Sequence, residues 1–158
     1  MYSQNGYTIK TNNYSFAALE YGIGKTSTAN VNFPKLSPQQ SILFSLGTTN
    51  KNQNLEWAKQ LNYPNTGLTI SYVDIGNSKQ LGKAISVIPF IDFSLFNRWT
   101  NRLNLKVGLG ASYFNKVYDA VENPNNMAIS THFTWAFRSN IYYSLLEKEK
   151  YNLIKEIS

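Results

Sequence analysis

Met127–Leu145, MAISTHFTWAFRSNIYYSL, is the stretch that decides the fold class. Read at a period of two, one face carries Ile129, Thr131, Phe133, Trp135, Phe137, Ile141, Tyr143 and Leu145. The other carries Ala128, Ser130, His132, Thr134, Ala136, Arg138, Asn140, Tyr142 and Ser144. Alternation over so long a run marks an extended strand whose two sides meet different surroundings. Wound as a helix, the same apolar residues would cover the whole cylinder instead of one stripe.

The pattern recurs upstream. Leu105–Phe114 sets Leu105, Val107, Leu109, Ala111 and Tyr113 against Lys106, Gly108, Gly110, Ser112 and Phe114. Ala84–Phe96 sets Ile85, Val87, Pro89, Ile91, Phe93 and Leu95 against Ser86, Ile88, Phe90, Asp92, Ser94 and Phe96. Pro89 cannot donate to a ladder, so a bulge or local break is expected there. Gly67–Ile75 alternates Leu68, Ile70 and Tyr72 against Thr69, Ser71 and Val73. A first strand is expected at Tyr14–Lys25, a short one at Ser41–Gly47, and a helical turn before Pro64. Residues 1–13 give no clear element, and Tyr151–Ile154 starts an extended segment that stops almost at once. Trp99 falls in a polar turn at 97–102, and EKEK at 147–150 forms another. About six strands joined without helices describe an all-β, antiparallel up-and-down barrel in one domain, 1–158.

Charged residues make up 15% of the 158-residue chain and aromatics another 15%, whereas ordinary soluble domains carry about 25% charge. The net charge of +6 comes from scattered Lys and Arg without a basic run, which argues against a nucleic-acid partner. There is no Cys and a single His, His132, so thiolate chemistry, disulfides and multi-His metal sites are excluded. MYSQNGYTIKTNN has no apolar leader segment, and no apolar run reaches the ~20 residues of a membrane helix. Any bilayer contact must be made by strands.

In a water-soluble barrel the second face of each strand is solvated and rich in Lys and Glu. Here it is Gly, Ala, Ser, Thr and Asn with occasional charges, which suits a packed polar lumen. The bulky face then meets lipid, with Trp99, Tyr113, Trp135 and Tyr143 as interface candidates. The alternative is a soluble, lipocalin-like lipid-binding barrel. Asp92, Lys106 and Arg138 share the polar face of successive strands and are expected to meet in one ionic cluster, since a lone buried charge is costly.

Familiar motifs fail on inspection. GIGKT at 22–26 lacks the earlier glycine of a phosphate loop, because position 19 is Leu. Gly108-Leu109-Gly110 sits inside a strand, with Tyr at 113, and is no dinucleotide fingerprint. Ser130, Thr131 and His132 cannot form a triad, because His132 points away from Thr131 and no carboxylate is nearby in sequence. His132 reads as a lumen hydrogen-bonding residue.

Several segments do resemble a family. They are NLEWAKQLNYPNTGLTISYVDIGN at 54–77, Leu81-Gly82-Lys83-Ala84, Ile88-Pro89-Phe90-Ile91 and ENPNNMAIS at 122–130. Over roughly residues 40–146 the chain is similar to bacterial acyloxyacyl hydrolase-like proteins, which belong with the lipid A 3-O-deacylases (the PagL family). The resemblance implies an eight-stranded outer-membrane barrel that hydrolyses an ester-linked acyl chain of lipopolysaccharide with Ser, His and an acidic residue. Its partners would be lipid A and outer-membrane lipid, without a cofactor. The family's His-x-Ser motif has no counterpart: His132 is followed by Phe133 and Thr134, and after EKEKYNL the chain reads IKEIS. About six of the eight strands are therefore expected, in a truncated chain, with no catalytic, cofactor-binding or metal residue to assign.

Overall fold

The computed structural model describes residues 3–12, 15–27, 33–50, 55–95, 103–147 and 151–156. They form β1 (Ser3–Asn12), β2 (Ser15–Gly24), β3 (Gln39–Thr49), α1 (Glu56–Gln60), β4 (Asn65–Asp74), β5 (Lys83–Ser94), β6 (Leu103–Phe114), β7 (Phe133–Glu147) and β8 (Tyr151–Glu156). Each strand pairs antiparallel with the next, and β8 returns to β1, so the sheet closes in sequence order. The up-and-down barrel is as expected; the count is not. Eight strands are present where six were read, because β1 and β8 have little apolar alternation and are strands by virtue of their pairing. That is tertiary context overriding a weak local signal.

The opening stretch is shorter than its alternation suggests. β7 begins at Phe133, and 127–132 belong to the loop before it. The loop has its own backbone bonds, Tyr118 N–H to Ile129 O at 2.7 Å and Ile129 N–H to Asn126 O at 3.4 Å, which compete with a ladder. At Pro89 the β5–β6 register runs straight through from Val87↔Ala111 to Phe90↔Gly108, but the intervening pairs are missing. The imide nitrogen interrupts the ladder without a bulge. Trp99 and residues 148–150 lie outside the described residues.

Strand glycines make room in the lumen. Across β2 to β6, Phe16, Gly47, Gly67, Phe90 and Gly108 stand opposite one another in register. A Cβ at Gly47 would run into the Phe16 ring, and one at Gly67 into Phe90 and the β3 backbone. The two phenyl rings lie 6.5 Å apart over these glycines. Bulk on one strand is thus matched by its absence on the next.

At one end lie the β1–β2, β3–β4, β5–β6 and β7–β8 connections, the second of them carrying α1. At the other end the β2–β3, β4–β5 and β6–β7 connections interlock. Asn123 Nδ2 donates to Gln80 O (2.7 Å) and Val117 O (3.0 Å), and Asn77 Nδ2 to Lys35 O (3.0 Å). Lys83 N–H donates to Asn115 Oδ1 at 2.7 Å, packed against Gly82 at φ +72°, where a Cβ would strike that side chain. Gly76-Asn77, Leu81-Gly82 and Asn123 are thus loop-locking residues.

Candidate membrane-facing surface and lumen network

The two faces of the sheet differ in kind. Inward positions of β3, β4 and β5 are buried: Ser41, Leu43, Ser45, Thr69, Ser71, Ser86, Ile88, Phe90 and Asp92. Outward positions are large and exposed. They run in cross-strand rows fixed by the register, one of which is Leu19, Phe44, Ile70, Val87, Ala111 and Trp135. The next row toward the long loops is Tyr21, Ile42, Tyr72, Ile85, Tyr113 and Phe133, with a tyrosine on every second strand. Beyond it come Ile23, Gln40, Asp74 and Lys83. On the opposite flank, past Leu46, Leu68, Pro89 and Leu109, lies a mixed row of Ser15, Thr48, Thr66, Ile91 and Val107. The exterior is apolar in its middle, tyrosine-bordered on one side and polar beyond. Large apolar residues exposed on successive strands from β2 to β7 make a contiguous apolar face of the kind that marks an interaction surface.

Of the residues expected at an interface, Tyr113 falls in the tyrosine row, Trp135 lies in the middle row instead, and Tyr143 is half-buried. Tyr21 and Tyr72 were not singled out by sequence reasoning. Their signal was available: each occupies an outward parity position in its strand.

The lumen holds two polar groupings. Lys106 Nζ reaches from β6 to Glu20 Oε1 on β2 (3.0 Å) and Ser45 Oγ on β3 (2.9 Å), and Ser45 bonds Thr69 at 2.8 Å. Arg138 Nη2 lies 3.6 Å from Glu20 Oε2. The Lys106 ammonium also sits 4.2 Å from the centre of the Phe90 ring, a cation–π contact. In the second grouping Tyr142 donates its hydroxyl to Asp92 Oδ2 (2.6 Å) and Asn65 Nδ2 donates to the same oxygen at 3.4 Å.

The expected single cluster of Asp92, Lys106 and Arg138 is therefore corrected. Asp92 and Lys106 face each other in register, yet no ion pair between them occurs among the described residues. Lys106 turns across the lumen to Glu20, whose carboxylate serves both cations. Glu20 was missed, although its parity with Ala18 and Gly22 places it on the small-residue face.

His132 is not in the lumen either. It is exposed in the loop before β7, with Nδ1 2.7 Å from Phe114 O and its ring stacked on Tyr113 at 5.6 Å. Because a carbonyl only accepts, Nδ1 carries the proton. Thr131 donates its hydroxyl to Phe133 O at 2.7 Å. Among the described residues no carboxylate orients His132 and no hydroxyl bonds its ring, so the geometry of a triad is missing. Groups of acidic and His residues able to hold a metal are likewise absent among the described residues.

No known relative emerges. No family model matches the chain, and no curated protein or solved structure matches it. No helix among the described residues is long and apolar enough to cross a membrane. The case for function rests on the two faces of the barrel.

Proposed function

We propose that this chain is a bilayer-spanning β-barrel of a bacterial outer membrane, related to the lipid A deacylases in architecture but without hydrolytic chemistry of its own. The observation that carries the bilayer part is the exterior. Of the fifteen exposed residues on β2–β5, twelve are Leu, Ile, Val, Phe or Tyr, with exposures from 37% at Ile91 to 54% at Leu46, and the other three are Gln40, Thr48 and Pro89. In lipid a closed sheet satisfies its backbone groups internally and needs such a surface. In water the same surface would drive aggregation. The lumen supports a barrel without a wide channel, since Phe16, Phe90 and the Lys106–Glu20 bridge fill it from several walls.

The lipid A part rests on the resemblance of residues 40–146, and the non-catalytic part on His132. Purified protein should require detergent or lipid to remain monodisperse. Incubated with lipid A in mixed micelles, it should release no 3-hydroxy fatty acid above a boiled control. Clear turnover would overturn the non-catalytic reading. Monodisperse protein in plain buffer would overturn the membrane reading and favour a soluble lipid-binding barrel.

A further inference from the structure

The apolar exterior reaches different heights around the barrel. On β5–β7 it runs past Ile91 and Val107 through the row Phe93, Leu105 and Ile141 to Leu95, Leu103 and Tyr143. From Ile85 in the tyrosine row to Leu95 the chain advances ten residues. At ~3.4 Å per residue and a strand tilt of about 40° that is a rise of about 26 Å. The apolar band of an outer-membrane barrel is about 25 Å tall. β3 and β4 stop short of this height, at Thr49 and at Asn65, whose partner on β5 is Asp92. Their last outward residues are the hydroxyls Thr48 and Thr66. The upper part of the band on this side is left to the β3–β4 connection, which carries α1.

That connection is built, not slack. Asn50 Nδ2 donates to Pro64 O at 2.8 Å and closes its base. Asn62 N–H bonds Lys59 O (3.1 Å) and Tyr63 N–H bonds Ala58 O (2.5 Å), with Asn62 and Tyr63 at φ +58° and +54°. The two bonds form a Schellman cap that fixes the end of α1. The helix sorts its side chains. Ala58 is fully buried and lies three residues from both Leu55 and Leu61, and Trp57 stands one turn before Leu61. Leu55, Trp57 and Leu61 form half-exposed shoulders beside it, while Glu56, Lys59 and Gln60 take the other side. Apolar on one side and polar on the other is the pattern of a helix lying in a membrane interface, the level at which Trp is enriched.

We propose that α1 is an interfacial anchor, lying at the headgroup boundary of the bilayer with Leu55, Trp57 and Leu61 against the acyl chains. It continues the apolar band over the ends of β3 and β4 and supplies the aromatic border that their outward rows lack on this flank. The inference rests on the membrane reading above. A lipid surface is favoured over a protein partner by height. The shoulders of α1 stand beyond Thr49 and Asn65, where Phe93, Leu105 and Ile141 keep the neighbouring wall apolar.

The chain has three tryptophans, so Trp99→Phe with Trp135→Phe leaves Trp57 as the sole emitter. In phosphatidylcholine vesicles its emission should be blue-shifted from that of the urea-unfolded chain and little affected by acrylamide. Bromines near the ester end of the acyl chain should quench it several-fold more than bromines near the chain middle. A second reporter, Phe44→Trp with all three native tryptophans changed to Phe, reads the barrel wall and should show the reverse depth order. Both variants should keep the heat-dependent gel shift of a folded barrel. Trp57 open to acrylamide while the Phe44→Trp reporter is quenched by bromines would overturn the anchor and leave the membrane reading standing. Trp57 shielded from acrylamide and bromines alike would mean contact with protein and would overturn the anchor too. Bromine quenching of neither emitter would overturn both readings together.

Discussion

The wall from β2 to β6 alternates strongly in side-chain size along each strand, whereas β8 and β1, which close the barrel, carry little alternation and are strands through their pairing. In the wall each of β3, β4 and β5 is paired on both sides, and every inward position meets a neighbour: ring on glycine, serine on serine, lysine on carboxylate. At the seam β7 pairs with β8 from Tyr142↔Glu156 to Glu147↔Asn152, with a register shift between Ser144 and Leu146, and its Phe133, Trp135 and Phe137 are the most exposed aromatic residues among those described. Alternation marks a strand, whereas register with both neighbours makes a wall.

The largest expected effect breaks the wall from inside. Glu20→Ala removes the carboxylate shared by Lys106 and Arg138, which project from the neighbouring strands β6 and β7. Loss of one partner of a buried pair costs about 3–5 kcal/mol. Denaturant unfolding in micelles should register this, whereas Trp135→Ala at the seam should barely move the midpoint. Next comes Gly67→Ala, whose Cβ would run into the Leu46 carbonyl and the Phe90 ring, an overpacking cost of about 1–3 kcal/mol. Asp92→Ala strips the partner from the Tyr142 hydroxyl and Asn65 amide, for about 1–3 kcal/mol. By the same measurement Asp119→Ala, fully exposed in the loop, should cost less. Asn123→Ala deletes two side-chain bonds that lock the long loops and should cost about 1–2 kcal/mol, with faster amide exchange near Gln80 but not in β3.

The smallest effect is one of pH. Asp119 accepts backbone bonds from Glu122 and Val121, both at 2.8 Å, which hold its carboxyl below the ordinary value of 3.8. A depressed folded-state pKa contributes stability above the unfolded value and loses it as pH falls through the folded one. The Val121 and Glu122 amides should therefore lose exchange protection only below about pH 3.8, while β3–β5 amides keep theirs. Loss of wall protection in the same window would contradict the separation of loop from wall.

The strands of the wall were legible because their faces differ so much in side-chain size. Leu68, Ile70 and Tyr72 against Thr69 and Ser71 leave little ambiguity, and the register followed the same parity. β1 and β8 were not legible, since SQNGYTIKTN and YNLIKE become strands through partners distant in sequence. The loop at 127–132 imitated a strand by chance alternation, while its fold is set by side-chain amides such as Asn123 and Asn126. For the lumen, sequence parity named Asp92, Lys106 and Arg138 but not the carboxylate that engages two of them. Parity fixes a face, whereas a reach across the barrel depends on closure and side-chain length.

Nitroxide accessibility tests the inside-out barrel most directly. Labels placed singly at Phe44, Ile70 and Val87, and at their inward neighbours Ser45, Ser71 and Ser86, should be read in lipid vesicles against oxygen and a water-soluble nickel chelate. Outward labels should collide readily with oxygen and scarcely with the chelate, and inward labels should be shielded from both. Outward labels as open to the chelate as a label at Asp119 would mean that the apolar face does not lie in a bilayer.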